Sequence, residues 1–195
     1  MEIETPHGPA RALTQAAANP RALLVLGHGA GGGVSAPDLM AATQAALEVD
    51  VSVALVEQPY RVAGRRSQAP AHQLDTAWEA AVSALRGDVP VITGGRSAGA
   101  RVACRTAAAT GSAGVLCLAF PVHPPGKPEK TRMEELDAVT VPVLVVQGES
   151  DPFGMPPPRR PTREVVQLGG NHSLKSDLPG LRAAVTDWLN RLLAS

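Results

Sequence analysis

The sequence has little of several features that would point to particular classes of protein. Of its 195 residues only two are cysteine, and acidic and basic side chains number 18 each, so the formal net charge is zero. No apolar run approaches the roughly 20 residues that span a bilayer. The missing basic surplus argues against a nucleic-acid partner, and the missing cysteine framework argues against a disulfide-stapled secreted domain.

The N-terminal residues Met1–Glu4 also lack the basic-then-apolar pattern of a signal peptide. These absences predict a cytoplasmic protein with no membrane partner. Cys104 and Cys117 lie in apolar stretches and are expected to be small core residues. The five histidines are scattered without the spacing of metal ligands, so we expect neither a metal site nor a cofactor.

What the chain does contain is a regular alternation of two kinds of segment within a length that suits one domain, residues 1–195. The first kind is short and almost continuously apolar, which is typical of strands buried on both faces of a parallel sheet. The predicted strands are Ala22–Leu26, Val51–Val56, Val89–Thr93, Gly114–Phe120, Val141–Gln147 and Glu164–Leu168.

The second kind of segment has the apolar spacing of an amphipathic helix. At the start of the first such segment, Ser35 and Asp38 have the spacing of a capping box. Two shorter pieces, Glu2–Thr5 and Ala10–Thr14, predict an antiparallel hairpin at one sheet edge. The alternation predicts an α/β fold, a doubly wound and mostly parallel sheet of about seven or eight strands with helices on both faces. The predicted helices are Pro37–Leu47, Leu74–Leu85, Ala98–Ala109 and Leu181–Leu192, with a weaker one at Thr131–Val139.

A candidate nucleophile follows the third of the six apolar strands, at the sheet edge where such folds bind ligands. Ser97 is the centre of the sequence Gly95-Arg96-Ser97-Ala98-Gly99. Gly-x-Ser-x-Gly is typical of a tight strand-to-helix turn that raises the serine hydroxyl above the sheet. A serine in an ordinary surface turn is the alternative interpretation, and the partners of the hydroxyl distinguish the two.

Two partners follow the ends of later predicted strands. Asp151 and His172 come after the fifth and sixth apolar strands, which gives the chain order Ser, Asp, His that the nucleophile elbow requires. His172 would take the proton of Ser97, and Asp151 would orient the imidazole. Two alternatives stay open: Glu149 instead of Asp151 as the acid, and a surface pairing of His172 with Asp177.

A glycine-rich segment, residues 27–33, follows the first apolar strand. Its amides can point at an oxyanion, so we predict an oxyanion hole formed by Ala30 and Ala98, with Gly31 as the next candidate and a substrate contact. His28 is expected to support this loop rather than to act as a base. The segment lacks the Gly-Lys-Ser/Thr ending of a phosphate-binding loop.

Together these motifs resemble the α/β-hydrolase superfamily, in particular its short, lidless branch related to dienelactone hydrolases. The chain departs from dienelactone hydrolases in carrying Ser97 where they carry cysteine, and it lacks the insertion that forms a lid in lipases. The resemblance implies a serine hydrolase, similar to a carboxylesterase or thioesterase, that cleaves an ester or thioester of a small substrate through an acyl-enzyme. Acyl transfer by the same residues and a non-catalytic interaction module are the alternatives.

Basic residues near this edge bear on the choice of substrate. Arg61, Arg65 and Arg66 follow the second apolar strand, and Arg96 precedes the nucleophile. A solvated basic loop is one interpretation of this group. The other is that Arg65 and Arg96 contact an anionic or carboxylated substrate. The stretch Pro156–Pro161 could lie over the pocket or away from it.

Overall fold

The computed structural model describes residues 1–194, and the strands in this part of the chain form a single eight-stranded sheet. The strands are β1 (Glu2–Ile3), β2 (Ala10–Gln15), β3 (Ala22–Gly27), β4 (Val51–Glu57), β5 (Val91–Arg96), β6 (Val115–Leu118), β7 (Val143–Gly148) and β8 (Arg163–Leu168). Their order across the sheet is β1-β2-β4-β3-β5-β6-β7-β8. The first two pairings are antiparallel and all the others are parallel. The predicted doubly wound fold with an N-terminal hairpin is therefore confirmed.

Helices cover both faces of the sheet: α1 (Pro37–Glu48), α2 (Pro59–Val62), α3 (Ala71–Leu85), α4 (Ala98–Thr106), α5 (Met133–Asp137) and α6 (Leu178–Leu192). Leu24 and Leu26 of β3 share a core with residues of α1 and α6, whereas Val25 between them packs in a cluster with residues of α3. All three side chains are fully buried. The inner strands β3, β4, β6 and β7 are almost continuously apolar because each of their faces lies under helices. The strand β8 was predicted to be buried on both faces, but it is largely half-buried or exposed because it lies at the sheet edge.

Several boundaries differ from the sequence prediction. The helix α2 was not predicted, and β6 is shorter than the predicted strand because Ala119 has φ of +52° and leaves the extended conformation. The predicted capping box is wrong: the N-cap of α1 is Ala36, and no side chain caps the helix. Asp38 is instead completely buried and bonds to the guanidinium of Arg96.

The topology brings the ends of β3, β5, β7 and β8 to one edge of the sheet, where they form a row with only β6 among them. The connection between β6 and β7, residues 119–142, contains only the short helix α5. The proline-rich stretch lies away from this edge, since Pro158 and Pro161 line a cavity with Arg163 at the start of β8. Among residues 1–194, no helix has both the length and the apolar character needed to cross a membrane.

Candidate active site

The turn between β5 and α4 holds Ser97 in an unusual backbone conformation. Its φ is +51° and its ψ is −112°, values that cost a non-glycine residue about 1–3 kcal/mol and that only the surrounding structure can enforce. The N–H of Ser97 donates to the carbonyl of Leu118 at 2.9 Å. This contact ties the turn to β6 and leaves the side chain free to project from the sheet edge.

Glycines on either side of Ser97 allow β5 and α4 to approach β3. A Cβ atom on Gly95 or on Gly99 would lie 2.5 Å from the carbonyl oxygen of Gly27. No larger residue fits such a gap without moving backbone. The Gly-x-Ser-x-Gly spacing therefore has a packing cause as well as a conformational one.

The hydroxyl of Ser97 lies at the end of a continuous chain of hydrogen bonds. Its Oγ is 2.9 Å from Nε2 of His172, and Nδ1 of His172 is 2.8 Å from Oδ2 of Asp151. The Asp151 side chain is 1% exposed and the His172 side chain is 19% exposed. A neutral imidazole with its proton on Nδ1 satisfies both contacts, because Nε2 is then free to accept from the hydroxyl.

Neighbouring groups fix the carboxylate and the ring in place. Oδ2 of Asp151 also accepts from Nε2 of Gln147 at 3.0 Å, and Oδ1 accepts from the N–H of Phe153 at 2.8 Å. The ring of Phe153 stacks on that of His172, with centroids 4.1 Å apart and an interplanar angle of 27°. These contacts hold the carboxylate of Asp151 in one orientation relative to the imidazole.

The two alternative pairings have no support in these contacts. Glu149 is exposed, and among residues 1–194 its side chain forms no hydrogen bond or ion pair. Asp177 is the N-cap of α6 and accepts from the N–H of Gly180 at 2.9 Å. Of the three carboxylates, Asp151 is the one beside His172.

The amides expected to bind an oxyanion flank the nucleophile. Ala98 is the first residue of α4, where an N–H has no partner within the helix. The carbonyl of Ala30 accepts from the hydroxyl of Tyr60 at 2.9 Å, and its N–H takes part in no hydrogen bond within residues 1–194. A Cβ on Gly29 would lie 3.6 Å from Cβ of Ser97, so this loop lies directly against the nucleophile, whereas Gly31 is exposed and faces open space.

His28 supports the same loop. Its side chain is buried, Nδ1 donates to the carbonyl of Gly29 at 2.8 Å, and Nε2 accepts from the N–H of Gln58 at 3.0 Å. Burial lowers the pKa of His28 below its ordinary value. Both ring nitrogens have partners, so the ring has no free position for proton transfer and holds the loop instead.

The two arginines predicted to contact substrate, Arg65 and Arg96, differ in their surroundings. The guanidinium of Arg96 donates to Asp38 from Nε and to the carbonyl of His172 from Nη2, each at 2.7 Å. These contacts point to a role within the protein rather than at the substrate. Arg65 is exposed and lines a cavity together with Tyr60. Its backbone N–H donates to the carbonyl of Tyr60 at 2.9 Å.

The sequence reasoning missed the residues that surround the predicted ones. Gln147 and Phe153 lie within four residues of Asp151 and could have been noticed as neighbours of a candidate acid. Asp38 and Tyr60 carry no such signal, because their contacts join segments far apart in the chain. Among residues 1–194, no three His, Cys, Asp or Glu side chains form a group that could hold a metal ion.

Comparisons with known proteins identify the family and the fold of the chain. A family model described as an alpha/beta hydrolase domain matches residues 20–177. A search of curated proteins gives no match. Among solved structures, the chain is similar to XC6422 from Xanthomonas campestris, a serine hydrolase without a lid, with 19% identity, a TM-score of 0.80, and coverage of 100% of this chain and 94% of that one.

Two further solved structures extend the comparison. Est1E from Butyrivibrio proteoclasticus has 15% identity, a TM-score of 0.79, and coverage of 100% of this chain and 99% of that one, and it has also been solved with ferulic acid bound. Dienelactone hydrolase from Anabaena variabilis has 14% identity, a TM-score of 0.75, and coverage of 100% and 95%. At these identities the likeness shows a shared fold.

Proposed function

Because the chain belongs to the alpha/beta hydrolase family, we propose that it is a serine hydrolase that cleaves an ester or thioester of a small substrate. Family and fold support hydrolase activity in general. The observation that carries the narrower proposal is the unbroken chain from Asp151 through His172 to the hydroxyl of Ser97, with contacts of 2.8 and 2.9 Å. These distances suit proton transfer without rearrangement of the loops.

The reaction begins with attack of Oγ of Ser97 on the substrate carbonyl while Nε2 of His172 takes the hydroxyl proton. Asp151 stabilises the imidazolium that forms. The negative charge on the carbonyl oxygen is received by the amides of Ala98 and Ala30, and the N-terminal end of α4 adds a favourable partial charge.

Collapse of this intermediate breaks the bond to the leaving group, which receives the proton from Nε2 of His172. The acyl group is then esterified to Oγ of Ser97. Water attacks the acyl-enzyme, gives one proton to His172, and releases the carboxylic acid while Ser97 recovers its hydrogen. Atoms and protons balance over the cycle, and no cofactor takes part in any step.

The substrate is proposed to be small because the rim of the site is uncovered. The connection at residues 119–142 adds no lid domain, and the proline-rich stretch lies at the start of β8. We further propose that Arg65 contacts an anionic group of the substrate. Within residues 1–194, no ion pair involves Arg61, Arg65 or Arg66, so these charges are available to a ligand.

Labelling with a fluorophosphonate probe tests the nucleophile directly. Wild-type protein should label covalently, and Ser97→Ala should not label. Ser35→Ala is the matched control, since Ser35 is an exposed serine on the loop before α1, and it should label like wild type. A wild-type protein that stays unlabelled would overturn the proposal. Hydrolysis of p-nitrophenyl acetate and of a short acyl thioester then distinguishes the two bond types.

A further inference from the structure

Arg96 is the last residue of β5, and its side chain connects parts of the site that are far apart in the sequence. Its Nε donates to Oδ2 of Asp38 and its Nη2 donates to the backbone carbonyl of His172, both at 2.7 Å. The guanidinium therefore joins the strand that carries the nucleophile to the backbone of the base itself. The Arg96 side chain is 16% exposed.

Asp38 holds the guanidinium in a fixed direction. Its side chain is completely buried in the first turn of α1, where the helix terminus favours a negative charge. Oδ1 accepts from the N–H of Leu39 at 2.9 Å and Oδ2 accepts from Arg96. A buried carboxylate needs a well-placed cation, so the ion pair determines where Nη2 of Arg96 lies.

The backbone of the loop that carries His172 has few other hydrogen bonds near the base. The N–H of Ser150 donates to the carbonyl of Gly170 at 2.9 Å, and the N–H of Leu174 donates to that of Asn171 at 3.1 Å. Within residues 1–194, the guanidinium of Arg96 is the only group that donates to the carbonyl of His172. Asp151 and Phe153 hold the ring of His172, whereas its backbone carbonyl depends on Arg96.

We propose that Arg96 is a positioning residue, which sets the distance between Nε2 of His172 and Oγ of Ser97, and that Asp38 acts through it. This inference rests on the proposed function and deepens it. It replaces the substrate contact that the sequence suggested for Arg96. A shift of about 1 Å in a reacting group lowers turnover by about 10²-fold, so the loss of this contact should be visible in kcat.

Arg101 offers a matched control. It lies one turn into α4 and makes a two-point pair with Glu135, with Nε to Oε2 at 2.8 Å and Nη2 to Oε1 at 2.6 Å. Its side chain is 25% exposed, close to the value for Arg96. The backbone N–H of Arg101 donates to the carbonyl of Ser97 at 3.2 Å, and a side-chain substitution leaves this bond in place. Neither side chain of the pair is hydrogen-bonded to Ser97, His172 or Asp151. Removing this pair removes a comparable ion pair without touching the base.

The experiment compares wild type, Arg96→Met, Arg96→Lys, Asp38→Asn and Arg101→Met. We expect Arg96→Met to lower kcat for p-nitrophenyl acetate by about 10²-fold and to slow fluorophosphonate labelling in parallel, with KM changed by no more than about twofold. Arg96→Lys should recover part of kcat, and millimolar guanidinium should partly restore Arg96→Met. The double variant Asp38→Asn/Arg96→Met should lose no more than Arg96→Met, because Asp38 acts on His172 only through Arg96.

A rise in KM with unchanged kcat would show a substrate contact and overturn the inference. The inference would also be overturned if Arg96→Met and Arg101→Met had the same kcat after correction for the folded fraction. If Arg96→Met does not fold, Arg96→Lys and Asp38→Asn carry the same comparison. A wild-type protein that does not label overturns the proposed function itself, whereas labelling that is insensitive to residue 96 overturns only the positioning role.

Discussion

Gln147 shows how much of the site depends on single buried side chains. It is completely buried at the end of β7, and its Nε2 lies 3.0 Å from the carbonyl of Phe120, 3.0 Å from Oδ2 of Asp151 and 2.7 Å from the carbonyl of Gly154. The amide therefore orients the carboxylate that orients His172. Gln147 connects the core of the sheet to the chemistry at its edge.

Arg65 is the residue through which substrate charge can be tested. Arg65→Ala is expected to raise KM for a p-nitrophenyl ester of a dicarboxylic acid, because an exposed guanidinium binds carboxylate by charge-assisted hydrogen bonds. KM for the neutral ester of equal length should stay unchanged. Steady-state kinetics on the two esters measures the difference.

Arg182→Ala is the control for this prediction, since Arg182 lies on α6 and pairs with Glu48 away from the site. Its ratio of KM values for the two esters should equal that of wild type. If Arg65→Ala also has the wild-type ratio of KM values, the proposed contact between Arg65 and an anionic substrate is wrong.

Single residues also show where sequence reasoning stops. Ser97, Asp151 and His172 could be predicted because each follows a predicted strand, in the chain order that the fold requires. Asp38 was assigned to a capping box, since Ser35 and Asp38 have the right spacing, yet its carboxylate bonds to Arg96 across the fold. A local pattern gives no information about a partner 58 residues away.

At the scale of elements, the strands were easier to predict than the connections between them. Continuous apolar runs identify buried strands because both sheet faces are covered. The end of β5 was missed, since Gly94 and Gly95 have low strand propensity, although they pair with β3 and β6. The helix α2 was missed because four residues are too few to show a helical period.

The contact between β3 and the nucleophile turn gives a prediction about these elements. Gly99→Ala should lower the free energy of unfolding by about 1–3 kcal/mol, because the added Cβ meets the backbone of Gly27 and His28. Urea denaturation measures this change. Gly87→Ala is the control, as a Cβ there has no atom within 4 Å, and a Gly99→Ala protein as stable as this control would contradict the packing argument.

At the scale of the whole molecule, the order of the strands explains why one edge carries the site. The neighbours β3 and β5 bring the glycine-rich loop beside the nucleophile, and the neighbours β7 and β8 bring the acid beside the base. Periodicity alone does not determine this order. It depends on pairing between segments far apart in the chain, such as β2 with β4 and β3 with β5.

The stability of the whole molecule should depend on pH through His28. Its pKa is lowered in the folded state by burial, from an ordinary value of 6.5, so below that pH the unfolded chain binds more protons than the folded one. The contribution of neutral, buried His28 to the free energy of unfolding is therefore fully present above pH 6.5. It is lost as the pH falls toward the lowered pKa of the folded state. The measurement is the free energy of unfolding of wild type and of His28→Asn at several pH values from 6.5 downward. If this free energy falls equally with pH in both proteins, the role of His28 is contradicted.

The contact from Arg96 to the backbone of His172 also constrains how this scaffold can be re-engineered. The loop that carries His172 holds only one part of this arrangement, because Arg96 lies on β5 and Asp38 lies on α1. A designer who replaces this loop with that of another hydrolase would therefore leave both side chains behind in the original scaffold. Such a chimera should be active only when residues 38, 96 and 172 are exchanged together.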